Sequence, residues 1–147
     1  MRIKLNRAYI KDLIDEPYFS RGEFYFNNGM VHIISVKDYC VKSKVVGSGV
    51  YRVTLRYGGK HLDGECSCPA FENWGPCKHM AATGFALIQY NSHGYQSSSE
   101  CSDRIDEQNR FEKALRKKTK QELIEIIIRL SDCYPEIIDE LEDDDEE

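Results

Sequence analysis

Four soft metal ligands stand close together in this chain: Cys66-Ser67-Cys68, a spacer of eight residues, then Cys77-Lys78-His79. Side chains on an extended segment alternate, so Cys66 and Cys68 point the same way and can grip one ion together. On an α-helix, residues two apart project to nearly opposite sides. Cys77 is therefore expected at a non-helical entrance, with His79 in the first helical turn. Gly75-Pro76 marks that boundary, and the apolar run after it has helical spacing. The spacer, Pro69 to Pro76, reads as a turn that folds the chain back onto the first pair. Within it, Phe71 and Trp74 are expected to cover the metal and pack on the new helix; the alternative is that Trp74 is an exposed anchor for a partner or a base.

Tetrahedral zinc takes thiolate and imidazole ligands of this kind. The competing reading is a disulfide framework. Cys66 and Cys68 are too close to bridge easily, charges interrupt the first ten positions, and no signal peptide or long apolar run is evident. The expected setting is intracellular, reducing and cytoplasmic, where Cys/His clusters usually bind metal. Four protein ligands leave no open coordination position, so the one expected Zn2+ is structural. Three thiolates and a neutral imidazole leave a net charge near minus one, which Lys78 and a helix N-terminus offset.

Cys66, Cys68, Cys77 and His79, with Ala82 as the small residue of His-x-x-Ala, resemble the SWIM zinc finger. Upstream, Phe19-Ser-Arg-Gly-Glu-Phe-Tyr25 with Gly29 is similar to the N-terminal part of bacterial SWIM-containing proteins, so the resemblance covers about residues 18–90. It implies a strand-to-helix zinc unit associated with DNA binding and protein contacts, often beside helicase-like ATPases or transposases.

The surrounding sequence supports an α+β fold: short N-terminal helices, a small antiparallel sheet leading into the zinc-bound strand-to-helix unit, and a C-terminal helical tail. Ile10, Leu13 and Ile14 have helical spacing. Ser20 with Glu23 matches a capping box, Phe19 with Phe24 a hydrophobic staple, and Gly29 a helix exit. Phe24, Tyr25 and Phe26 are expected in the core. Strands are expected over 30–36 and 40–46 with a turn at Lys37-Asp38, over 50–57 where Tyr51, Val53, Leu55 and Tyr57 alternate with polar residues, and over 60–68 after Gly58-Gly59. The run after His79 is apolar over most of its circumference and should be well buried.

The organisation expected is residues 1–29 as N-terminal helices, 30–90 as sheet and finger with a finger core at 51–90, 91–102 as a serine-rich linker, 103–141 as a helical tail and 142–147 as a disordered acidic end. In the tail, Thr119 with Glu122 forms a capping box ahead of an apolar stripe, and Pro135 opens a last short helix. These helices either pack on the finger or dock another chain. His32, His61, His93, Cys40, Cys101 and Cys133 read as ordinary residues.

Charge divides along the chain: residues 1–90 hold 12 Lys or Arg against 8 Asp or Glu, a net of +4, whereas residues 91–147 hold 8 against 17, a net of −9. Lys42, Lys44, Arg52, Arg56, Lys60 and Lys78 offer a basic stripe for phosphates, with Trp74 as a stacking aromatic. Two functions follow: an accessory nucleic-acid binder, for DNA or RNA, or a protein–protein adaptor that docks through the C-terminal helices to a larger complex such as a helicase-like ATPase. No glycine phosphate loop, nucleophile elbow or carboxylate pair points to an enzyme, a small-molecule substrate or a membrane partner.

Overall fold

In a computed structural model, residues 4–59 and 61–142 are described; Lys60 and the acidic residues 143–147 lie outside them. The described residues form an α+β fold of two compact units divided after Gln108.

The first unit opens with α1 (Arg7–Leu13), capped by the Asn6 side chain, which accepts the Tyr9 N–H at 3.1 Å. Its apolar residues Ile10 and Ile14 are buried, as their spacing requires. Helix α2 (Tyr18–Asn27) begins three residues earlier than a Ser20 cap allows. The Ser20 N–H and hydroxyl both donate to the Glu16 carboxylate, so the cap acceptor comes from outside the helix. Glu23 instead pairs with Arg7. The expected staple is also absent: Phe19 is buried edge-on to Phe85 at 5.2 Å between centroids, while Phe24 is exposed. The reason is helical geometry. The buried stripe runs through Phe19, Gly22 and Phe26, and Phe24 lies off it.

Four strands follow in simple antiparallel order: β1 (Val31–Lys37), β2 (Cys40–Val46), β3 (Val50–Arg56) and β4 (Asp63–Cys66). Asp38 and Tyr39, both at positive φ, form the two-residue turn between β1 and β2, one position beyond the expected turn. Alternation sends Val41, Ser43 and Val45 of β2 and Val53 and Leu55 of β3 inward, and all five are buried. Next come α3 (Pro69–Trp74) and α4 (Lys78–His93). Every residue of α4 from His79 to Leu87 is buried, because the helix contacts all four strands on one side and α1 and α2 on the other.

Gly22 sets how closely α2 can approach α4. A β-carbon there would lie 2.5 Å from the Ala81 Cβ and 2.7 Å from the Lys78 carbonyl oxygen. The buried Ser43 and Thr83 hydroxyls, 2.7 Å apart, tie β2 to α4. Thr83 donates to the His79 carbonyl at 2.9 Å, so Ser43 is the donor between the two hydroxyls.

The serine-rich stretch 91–102 is far shorter as a connection than its composition suggests. Helix α4 runs through His93, and α5 (Ser99–Arg116) starts within the serines. Ser98 acts as the cap, its hydroxyl accepting the Cys101 N–H at 3.2 Å, and its own N–H bonds the Gly29 carbonyl. Cys101 and Ile105 are then buried beside Val46, so Cys101 is a core residue.

The second unit, residues 109–142, holds the end of α5 together with α6 (Lys120–Cys133) and α7 (Glu136–Glu142). Both halves of the Thr119–Glu122 capping box form at the start of α6. No described residue of α6 or α7 is buried.

Gly22→Ala is expected to destabilise the protein by about 1–3 kcal/mol, the usual cost of overpacking. Chemical denaturation would measure it, and an unchanged midpoint would show that α2 does not press on α4 at this point.

Candidate metal centre

The end of β4 and the start of α4 bring Cys66, Cys68, Cys77 and His79 into one buried cluster, with ligand atoms all within 4.8 Å of one another. Cys77 is the extended N-cap of α4, at φ −119° and ψ 172°, and His79 sits in the first turn. This is the arrangement that the Cys-x-His spacing demands.

His79 Nδ1 lies 3.7 Å from Cys66 Sγ and 3.8 Å from Cys77 Sγ. Metal–sulfur bonds of ~2.3 Å and metal–nitrogen bonds of ~2.0 Å place tetrahedral ligands about 3.5–3.8 Å apart. The donor chemistry and these two separations therefore match a tetrahedral ion, and all six cysteines are free. His79 faces the sulfurs through Nδ1. Its Nε2 is buried with no hydrogen-bond partner among the described residues, so the ring has one nitrogen committed to the cluster and one turned away from it.

Proton sharing points the same way. Cys66 donates a hydrogen bond to Cys77, which with burial pushes the Cys66 thiol well above its ordinary range and pulls Cys77 below its own. Burial also pushes Cys68 up. Three adjacent buried thiolates repel one another, and a dication supplies the charge that makes them stable together.

The spacer is a helix and not a turn. Cys68 caps α3, its sulfur accepting the Phe71 N–H at 3.3 Å, and Pro69 fills the first helical position. A metal ligand therefore also serves as a helix cap, which the turn-forming composition of the segment hides. Phe71 packs on the core as expected, but Trp74 is 77% exposed at the end of α3. The ring partners of the site come from elsewhere: Tyr51 lies tilted against His79 at 4.6 Å and Tyr25 meets it edge-on at 5.5 Å.

The basic residues are arranged by the sheet register. Lys42 and Lys44 of β2 and Arg52 and Arg56 of β3 alternate with inward-facing Val41, Ser43, Val45, Val53 and Leu55, so all four share the outer face of the sheet. Lys44 pairs directly with Arg52, and Lys42 with Thr54. Arg56 is held by Asp63 at 2.7 Å and Glu65 at 3.2 Å. Lys78 stands apart from this group, with Nζ 5.4 Å from the centre of the Tyr25 ring.

A closed Cys3His cluster joining a strand to a buried helix defines a structural zinc-finger module. Residues 51–83, from β3 to the middle of α4, match the family model of the SWIM zinc finger. Residues 51–83 thus carry a SWIM-type zinc finger, and its cluster fits one structural zinc ion. No curated protein and no solved structure matches the chain. No helix among the described residues is long and apolar enough to cross a membrane.

Protein purified with intact thiols is expected to hold one zinc per chain by elemental analysis, and Cys77→Ser to lose it. Chelation should lower the thermal midpoint and expose Cys66, Cys68 and Cys77 to alkylation. A metal-free sample of undiminished stability would refute the assignment.

Proposed function

We propose that the finger binds nucleic acid as an accessory module and that its metal is architectural. The observation that carries this reading is the sheet register. Lys42, Lys44 and Arg52 stand on adjacent strands of one outer face, with Lys44 and Arg52 directly opposite. Neighbouring strands lie about 4.8 Å apart, and alternate residues on a strand about 6.6 Å apart, so the three cations can follow a phosphate backbone. Arg56 shares that face and is engaged by Asp63 and Glu65. With only a net of +4 over residues 1–90, binding is weak and depends on salt. The module has no catalytic role in this reading, since four protein ligands close the zinc's coordination sphere.

For three phosphate contacts, the logarithm of the binding constant should fall with the logarithm of salt at a slope of about −2 to −3. Fluorescence anisotropy with the full chain and labelled DNA or RNA at low salt would measure it, and the double variant Lys42→Glu/Arg52→Glu should bind at least about tenfold more weakly. The reading fails if the wild-type chain shows no affinity for single- or double-stranded DNA or for RNA.

A second reading, an adaptor that docks to a larger complex, is supported by the second unit. Ile124, Ile127, Ile128, Leu130, Ile138 and Leu141 of α6 and α7 are all exposed. Two short helices with no buried residue of their own gain little stability from packing, and another surface over the apolar stripe would supply it. In-cell crosslinking at Ile128, compared with Ile128→Asp, is expected to give a defined adduct that the substitution removes. Identical crosslinks in both would count against docking through this stripe.

A further inference from the structure

Beside the metal centre, α2, the start of α4 and the Gly47 backbone enclose a cleft of about 510 Å³. That size lies within the range of about 300–1,000 Å³ usual for ligand pockets. One wall is Phe24, a large ring left 66% exposed on a helix whose other aromatics are packed. Met30 and Val46 add apolar lining. Gly47 keeps the cleft open, since a β-carbon there would meet Tyr25 Oη at 3.0 Å. Arg104 fixes this backbone by donating to the Gly47 carbonyl at 3.0 Å.

The charged groups of the cleft are separated. Arg21 adjoins Gly22, which presses against the Lys78 carbonyl, and the Lys78 ammonium stands 5.4 Å from the Tyr25 ring, so both cations line the cleft. Glu100 follows Ser98 by two residues, and Ser98 bonds Gly29 just past the other end of α2. Asn28 lies at that second end as well. Its amide N–H donates to the Phe24 carbonyl at 2.7 Å, which leaves its oxygen as an acceptor. The cleft thus combines two cations, an aromatic wall and acceptors near the C-terminal end of α2.

We infer that this cleft seats one nucleotide of a single-stranded nucleic acid, with its phosphate between Arg21 and Lys78, its base stacked on Phe24, and the exocyclic amino group of the base facing Asn28 and Glu100. The inference rests on the nucleic-acid reading above and adds a second contact region to it. A duplex offers neither an unstacked base nor an open base edge, so the cleft selects single strands. Among pyrimidines it favours cytosine, whose amino group is a donor, over thymine or uracil, which present a carbonyl oxygen there. An acidic peptide would use Arg21 and Lys78 but would face repulsion from Glu100 and leave Phe24 unstacked.

The test compares binding of the full, zinc-loaded chain to labelled oligo-dC and oligo-dT of equal length and to a duplex. Oligo-dC is expected to bind severalfold more tightly than oligo-dT. Phe24→Ala, on an exposed side chain, should weaken single-strand binding by about fivefold or more while leaving duplex binding and zinc content unchanged. Arg21→Ala should weaken binding to both oligonucleotides alike. Three results overturn the proposal. If Phe24→Ala and Arg21→Ala bind as wild type while Lys42→Glu/Arg52→Glu does not, the cleft is excluded and the sheet surface stands. If a poly-glutamate peptide displaces oligo-dC as effectively as unlabelled oligo-dC, the cleft is a general anion site. If the wild-type chain binds no nucleic acid, both readings fall together.

Discussion

The closed Cys3His cluster ties the end of a four-residue strand to the start of the most buried helix in the first unit. Neither element is secure alone. A strand as short as β4 contributes few ladder hydrogen bonds, and α4 is buried along most of its length with no broad polar face to orient it. Joining them through one ion fixes where α4 begins and which way it turns. Its tie to the sheet continues one turn further on, where the His79 carbonyl accepts from Thr83 and Thr83 accepts from Ser43 of β2. Breaking that buried chain leaves a donor unpaired at a cost of about 1–3 kcal/mol, so the metal and the hydroxyl pair hold the same helix at successive turns.

The position of α4 in turn decides what lies on the surface. Because Gly22 lets α2 sit against the first turns of α4, residues on either side of that contact are displayed at the metal end of the molecule. Tyr25 connects the two regions: its ring meets His79 edge-on and also carries the Lys78 ammonium at 5.4 Å. The outer sheet face has a different origin. Strand alternation alone produces it, so its cations sit opposite the valines that pack on α4.

The parts legible in the sequence are those set by short-range chemistry. The ligands of the cluster follow from Cys-x-Cys and Cys-x-His spacing, the N-cap role of Cys77 from the impossibility of a shared helical face, and the Thr119–Glu122 box from local hydrogen bonding. The errors share one cause, which is that the deciding partner lies outside the local pattern. Ser20 and Glu23 fit a capping box, but Glu16 and Arg7 take their side chains. The spacer has turn-like composition, but the Cys68 sulfur caps it as a helix. The serines near residue 98 have linker composition, but a hydroxyl cap and the burial of Cys101 against Val46 begin a helix there. Phe24 has core chemistry, yet the direction of α2, set by the contact at Gly22, places it outside.

That last case shows how a structural metal can matter to a surface it does not touch. The exposure of Phe24 depends on the rotation of α2, which depends on contact with Lys78, between the ligands Cys77 and His79, and with Ala81, two residues beyond them. Loss of the ion would release the first turn of α4 and, through Gly22 and Tyr25, the face of α2 that turns outward. The coupling needs no movement of the metal itself and no open coordination position. It follows from the ion's location where β4 meets the start of α4, beside the α2 contact at Gly22, which makes the cluster a determinant of surface geometry as well as of stability.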